Sequence, residues 1–515
     1  MLSCIQTHSN FLTTRVVLPC AGNLSGLVAR SAARFMSAKP FDDQEKVIIL
    51  GAAGRDFHDF MTYWSEKPNA QVMCFTGTQI PGIEKRMFPA EMCKNHLNNN
   101  LYPNGLKIFP ENSLAELVQR FGANTCAIAY SDLSYDTVQS LASKANAAGC
   151  KFVQLPPAFT QLESTKPVIS ICASRTGVGK SQTTRYVAKF FKDKGLKIAV
   201  VRHPMPYDKD LNTQRIQRYE KMEDLDKYHC TIEEREEYYK HIQEGNLLFA
   251  GVDYEMILRE AEKEADVVIW DGGNNDVSFF RPDLHICLVD SLRPEHEQHY
   301  YPGETNVRMA DILLITKVNS LNDIQKAYDQ ADHLRNLVKP TCPIFFGSSV
   351  ITPEGRLQSG DLMTEEQAKA QVEGKRVLVI DDGPTLTHGG VPFGAGYVLA
   401  ERLGAKEIVD PRPYAKGSLK DVFKKFPHLE KVLPAMGYGD EQIKDLEATI
   451  KSVECDAIVI GTPSDITHLI ETNKPTIMAN YSLEVVPEHS EQFNAGLEKV
   501  FDNFFSHHHD GKRVA

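Results

Sequence analysis

Short apolar runs, each closed by a glycine or polar turn and followed by apolar positions three or four apart, recur along this chain. The stretch "KVIILGAAGRDFHDF" (46–60) sets the pattern. Val47 to Leu50 is β-branched and apolar without alternation, which predicts a parallel strand covered on both faces. Gly51 and Gly54 then permit a tight turn into a helix. The turn carries only part of a dinucleotide fingerprint, so a ligand seat and a packing turn both stay open. Further strand patterns follow at "AQVMCFT", "LKIFP", "TCAIAYSD" and "CKFVQL", alternating with helical ones. Residues 42–163 are therefore expected to form a Rossmann-like α/β domain. The loops "TQIPGIEKRMFP" and "YSDLSY" follow strands, where open α/β sheets bind ligands.

The segments "LPPAF" and "STKP" mark a linker, and the pattern resumes with "KPVISICA" as a strand. The next stretch, "SQTTRYVAKFFKDKG", is helical, with Val187, Phe190 and Phe191 on one side. Buried strands are also predicted at "LKIAVV", "ADVVIW" and "ADILLIT", giving a central domain over 164–350 with a mostly parallel sheet. A C-terminal α/β region over 370–505 contains "KRVLVIDDGPTLTHGG" and "CDAIVIGTPSD". The fold class is α/β throughout.

Composition narrows the function. The 515 residues are 42% hydrophobic and 24% charged, with a net charge of −11. That balance carries no basic footprint for nucleic acid, so none is expected as a partner. No apolar run approaches the ~18 residues of a spanning helix, and no membrane partner is expected. Eleven cysteines are scattered without a Cys-x-x-Cys, which argues against a disulfide framework or structural zinc. Residues 1–41 hold Arg15, Arg30, Arg34 and Lys39 and no acidic residue. This is the composition of a mitochondrial transit peptide, so a matrix location is expected, with the cytoplasm as alternative. The tail "SHHHDGKRVA" reads as solvated rather than metal-binding.

Between the strand "KPVISICA" and its helix lies "SRTGVGKS", residues 174–181. Strand, glycine-rich loop and helix together form the context of a phosphate-binding loop. Thr176, Gly177, Val178, Gly179, Lys180, Ser181 and Gln182 are the expected nucleotide contacts. Lys180 reaches the outer phosphates and Ser181 holds Mg²⁺. Ser174 stands where the first glycine is usual. Asp271, ending "ADVVIWD", is placed for Mg²⁺ or its water. Arg202 and His203 end the strand before "PMPYD", and Asp208 lies in that loop as a further metal candidate. Lys317 and Asn319 in "TKVN" sit where a base is read; an asparagine weakens the guanine signal, so ATP leads and GTP stays open.

The loop aligns without gaps on the G-K-G-G-V-G-K-T loop of deviant-Walker ATPases of the SIMIBI class, and its ending resembles dethiobiotin synthetase. Arg175 then falls on the signature lysine, which implies a phosphate contact across a homodimer. Taken with "GAAGRDFHDF", "FTGTQIPGI", "CTIEEREEYYKHI", "WDGGNND", "PGETN", "DGPTLTHGG" and "DPRPYA", the chain resembles the cyclic 2,3-diphosphoglycerate synthetase family. The resemblance implies an ATP- and Mg²⁺-dependent synthetase that closes an intramolecular phosphoanhydride in a small acidic phosphorylated substrate. Arg175, Lys180, Arg202, His203 and Asp271 would be its catalytic groups. Placement adds Glu304 and Asn306 as groups that orient metal or substrate; "DGPTLTHGG", with His388, is open between an anion loop and a structural glycine turn. The alternative is a SIMIBI-type regulatory GTPase or chaperone-like NTPase.

Overall fold

A computed structural model describes residues 44–52, 54–78, 85–93, 101–203, 211–273, 275–355, 363–387, 390–436, 440–462, 466 and 474–509. The transit-like leader, Asp208 and His388 lie outside these residues. Residues from Lys46 onward form one compact unit.

The first sheet contains β1 (Glu45–Leu50), β2 (Ala70–Gly77), β3 (Met87–Phe88), β4 (Leu106–Pro110), β5 (Thr125–Ile128) and β7 (Lys151–Gln154), in the order β3-β4-β2-β1-β5-β7. Strands β1 and β5, β5 and β7, and β2 and β4 run parallel. Val47 and Ile49 enter one hydrophobic cluster and Ile48 and Leu50 another. The unbroken apolar run of β1 thus feeds two cores, one per face, because strand side chains alternate. A short strand, β6 (Leu133–Ser134), leaves this sheet and pairs antiparallel with β14 (Tyr300–Tyr301).

The second sheet holds the phosphate-loop strand, β8 (Val168–Ala173), with β9 (Ile198–Arg202), β10 (Gln217–Tyr219), β11 (Leu247–Ala250), β12 (Val267–Gly272), β13 (Leu284–Asp290), β15 (Ile312–Thr316) and β16 (Ile344–Glu354). It continues through β17 (Arg376–Asp382), β18 (Glu407–Ile408), β19 (Leu433–Ala435), β20 (Ala457–Gly461) and β21 (Thr476–Val485). The order is β10-β11-β9-β12-β8-β13-β15-β16-β21-β20-β17-β18, with β19 on β17. Strand β8 runs parallel to both neighbours, β12 and β13.

The expected break between 350 and 370 falls inside this continuous sheet. The start of β16 pairs parallel with β15, and its remainder pairs antiparallel with β21 from Gly347 to Glu354. The last helix, Pro487–His509, returns to the phosphate-loop half. Its Phe493, Leu497 and Val500 share a core with Ile169, Val187 and Phe191. Covering that apolar face requires the C-terminal helix, so the two halves are one packing unit. Among the described residues no helix is long and apolar enough to cross a membrane.

Candidate functional site

The phosphate loop leaves the carboxyl end of β8 and enters the helix Lys180–Lys192. Gly177 (φ 77°) and Gly179 (φ 116°) adopt left-handed backbone that a side chain would resist. The loop's carbonyls are held from the β13–β15 side. Arg293 Nη2 donates to Thr176 O at 2.9 Å, Lys317 Nζ to Gly177 O at 2.7 Å and Thr316 Oγ1 to Val178 O at 2.7 Å. A glycine-rich entry to a helix N-terminus is the ordinary seat for an anion. Ser174 stands at the place of the usual glycine with its carbonyl held: Asn275 Nδ2 donates to it at 2.9 Å, and a Cβ on Gly303 would lie 2.6 Å from that oxygen, which keeps position 303 a glycine.

Lys180 and Asp271 meet at the base of the loop, where Lys180 Nζ donates to Asp271 O at 3.2 Å. Burial lowers the Lys180 pKa, partly offset by Asp271. Asp271 is 1% exposed, and burial alone would raise its pKa. Arg202 above all, then His241 and Lys180, outweigh burial and hold the carboxyl well below the ordinary range. Arg202 pairs with Asp271 Oδ2 and, through Nη2, with Glu237 Oε2 at 2.7 Å. His241 Nε2 stands 3.5 Å from Asp271 Oδ2. Among the described residues Asp271 Oδ1 is buried without a hydrogen-bond partner, and Ser181 Oγ is 3.5 Å from Arg202 Nη1. One ionised carboxylate oxygen and one hydroxyl beside a phosphate loop suit a magnesium ion that takes its other oxygens from phosphate and water.

The remaining expected residues divide. His203 stands beside this centre, its Nδ1 bonded to the Tyr254 hydroxyl and its Nε2 3.3 Å from Asp276 Oδ2. Gly54 and Gly273 both approach its ring, which explains two glycines at once. Gln182 is buried and bonds Ser349 Oγ at 3.2 Å. Lys317 reaches the loop, as above, and also Asp290 Oδ2 at 2.8 Å.

Three roles need correction. Arg175 is 6% exposed and turned inward: its Nε bonds Asp132 Oδ1 at 3.1 Å and its guanidinium lies 3.5 Å from the Tyr300 ring centre. An arginine buried against a carboxylate and a ring in its own chain does not extend to a second subunit, which removes the basis for the expected homodimer. Asn319 spends both ends of its amide on the backbone of Ser349, donating at 2.9 Å and accepting at 2.9 Å. It fastens the end of β15 to β16 rather than reading a base. Glu304 pairs with Arg308 one turn along its own helix at 2.6 Å, an ion pair that occupies the carboxylate proposed for metal. Its neighbour Asn306 takes the buried place, donating to Asp276 O at 3.1 Å.

Four groups were not singled out from the sequence. Glu237 and His241 are four apart on the helix Ile232–Gln243, a spacing that puts both on one face. "CTIEEREEYYKHI" held that signal. Asp132 and Thr385 lie in "YSDLSY" and "DGPTLTHGG", strings marked as candidate ligand loops, but their approach to the phosphate loop from other segments carried no local signal. A Cβ on Gly177 would lie 3.1 Å from Thr385 Cγ2, so "DGPTLT" closes over the phosphate loop. Asp382 accepts from Thr385 Oγ1 at 2.8 Å, and burial raises its pKa.

No family model matches the chain. An arginine synthetase, ArcE from Thermococcus kodakarensis, is 48% identical over 448 residues, spanning 86% of this chain and 94% of the relative. This chain belongs to the ArcE arginine synthetase family. A different synthetase is thus named where the sequence motifs resemble cyclic 2,3-diphosphoglycerate synthetase. Among solved structures, Aquifex aeolicus LpxK in complex with ATP is 13% identical, with a TM-score of 0.38 over 75% of this chain and 99% of that one. Helicobacter pylori HypB in complex with nickel is 16% identical, with a TM-score of 0.23 over 35% and 78%. Likenesses this weak say nothing of the reaction.

Proposed function

We propose that this member of the ArcE family is an ATP- and Mg²⁺-dependent synthetase whose product is arginine. The observation that carries the reading is the 48% identity to a protein named arginine synthetase over nearly its whole length. The phosphate loop supports the nucleotide-dependent part. Lys180 and the loop amides would draw charge from the transferring phosphoryl group, and positioning with charge neutralisation is most of what that transfer requires. Ser181 and Asp271 would hold Mg²⁺, which supplies further neutralisation when bound. Arg202 keeps Asp271 ionised for that task.

The cations bear on the substrate. A doubly phosphorylated glycerate needs positive groups to gather its charge, yet Arg202 is divided between Asp271 and Glu237, and Arg175 lies on Asp132. Carboxylates border the same loop instead. Asp382 accepts from Thr385, the residue whose Cγ2 lies against Gly177. Such a border favours a guanidinium over a bisphosphate. With Asn319 engaged by Ser349, no carboxylate reads guanine at that position, which supports ATP over GTP. The acid-free leader supports a mitochondrial location.

The test runs the reaction backward, from the named product. Protein, ADP, Mg²⁺ and labelled phosphate are incubated with and without arginine, and in parallel protein, ATP and Mg²⁺ with and without 2,3-bisphosphoglycerate. Arginine-dependent labelling of ATP is expected. A cyclic phosphoanhydride formed from ATP and bisphosphoglycerate, with no response to arginine, would sink this reading. Nucleotide hydrolysis indifferent to both compounds would return the regulatory NTPase.

A further inference from the structure

Among the described residues four non-glycine residues have left-handed backbone, and three of them, Asp132 (φ 56°), Glu295 (φ 67°) and Lys317 (φ 61°), border the phosphate loop. Strain of this kind persists where surrounding structure over-determines it, and it gathers at functional sites. Lys317 holds Gly177 O, and Glu295 precedes His296, whose Nδ1 is 3.4 Å from Arg175 Nη1. Asp132 comes from the first sheet, in the loop after β5. Its carboxylate is shared between consecutive loop residues: Oδ1 accepts from Arg175 Nε at 3.1 Å and Oδ2 from Thr176 Oγ1 at 2.7 Å. Both side chains of the Arg175–Asp132 pair are 7% exposed.

The mount is rigid on both sides. Immediately after Asp132, Leu133 pairs with Tyr301 and Ser134 with Tyr300. Tyr135 N donates to His299 O at 3.0 Å. Tyr300 is the ring on which Arg175 lies. Thr176 is thereby held at its hydroxyl by the first sheet and at its carbonyl by Arg293. Fixing both ends of one residue at the entry to the Gly177–Gly179 turn fixes the direction of the amides that follow.

We propose that Asp132 is the positioning residue of the phosphate loop: acting through Arg175 and Thr176, it holds the loop ready for an anion and makes nucleotide affinity depend on the first sheet. This rests on residues 174–181 being the nucleotide site, as read above. It assigns the first sheet a part in a loop that phosphate-loop proteins commonly build within one domain. Arg175 serves here as a strut inside the chain.

The full-length chain is titrated with labelled ATP and Mg²⁺. Asp132→Ala is expected to raise the ATP Kd about tenfold, since a charge-assisted pair and a hydroxyl bond are both lost. Asp132→Asn keeps an acceptor for Thr176 and is expected to show a smaller rise. Thr176→Val is expected to weaken ATP, and Thr176→Ser, which retains the hydroxyl, to restore it. In the arginine-dependent exchange assay, KM for ADP rises more than kcat falls, while KM for arginine stays near the wild-type value. An ATP Kd within twofold of wild type in folded Asp132→Ala and Thr176→Val overturns the proposal. So does an equal rise in both KM values, which marks a general loss of structure. If Asp132→Ala does not fold, the Thr176 pair decides. Wild-type protein that binds ATP but ignores arginine counts against the synthetase reading and leaves this titration intact.

Discussion

A strand–glycine turn–helix unit follows β1 and another follows β8, and they use the same geometry in opposite ways. In the first, Asp56 turns its carboxylate back into the turn. Its Oδ1 accepts from Gly54 N at 3.1 Å and Phe57 N at 2.8 Å, and a Cβ on Gly51 would lie 2.6 Å from its Oδ2. The chain supplies its own anion to the helix N-terminus. In the second, the first turn of Lys180–Lys192 contains no acidic residue, and its N-cap, Gly179, offers no side-chain acceptor. That seat is left to a ligand, with Lys180 beside it. The difference teaches that a glycine turn is an anion site only where the sequence has not filled it, and it resolves "GAAGRDF" as a packing turn.

Removing the anion's partner should have the largest effect. Lys180→Ala is expected to lower nucleotide-dependent turnover by about 10²-fold or more, with an unchanged melting transition. Turnover near wild type would move the chemistry away from the loop and erase the contrast. Removing the internal anion should act on stability instead. Asp56→Ala is expected to cost about 1–2 kcal/mol in denaturant unfolding, with little change in ATP Kd. A large loss of ATP affinity there would mean that both turns serve the ligand.

A third test concerns pH. Asp59, one turn beyond Asp56, is pushed up to about 7 by burial, against the opposing pull of Arg55. Its folded-state pKa lies above the unfolded value, so the stability it contributes is full below about pH 4 and is lost as pH rises toward 7. Asp59→Asn removes that loss. Its melting temperature is expected to exceed that of wild type at pH 8 and to match it near pH 4.5. An advantage only at the lower pH would contradict the assignment.

Much of the site was legible because its parts are local. The loop, Lys180, Ser181 and Asp271 follow from a strand, two glycines and an acid at a strand end, each within a few residues of its signal. Arg202 was legible as a cation at a strand end, but its use was not. Its carboxylate partners, Asp271 and Glu237, are separated in sequence and meet it only across neighbouring strands and a helix. Asn319 and Glu304 misled in different ways, the first through a partner thirty residues on and the second through one a single turn along its own helix. Each stands in a suggestive string, and each is taken by a nearby group, the Ser349 backbone and Arg308. Residues near a ligand motif are often spent on structure, and only their partners tell which.

The amino-acid pattern alone determined that this chain forms parallel sheets covered on both faces and that one turn carries a phosphate loop, because apolar periodicity and glycine placement act over a few residues. Tertiary structure decided the rest. It joined the central and C-terminal halves through β16, brought Asp132 and Thr385 onto the loop, and neutralised Arg175 and Arg202 with carboxylates. Those outcomes depend on which distant side chains share a low-dielectric interior, and burial lets a charge persist there only beside the partner that the fold delivers.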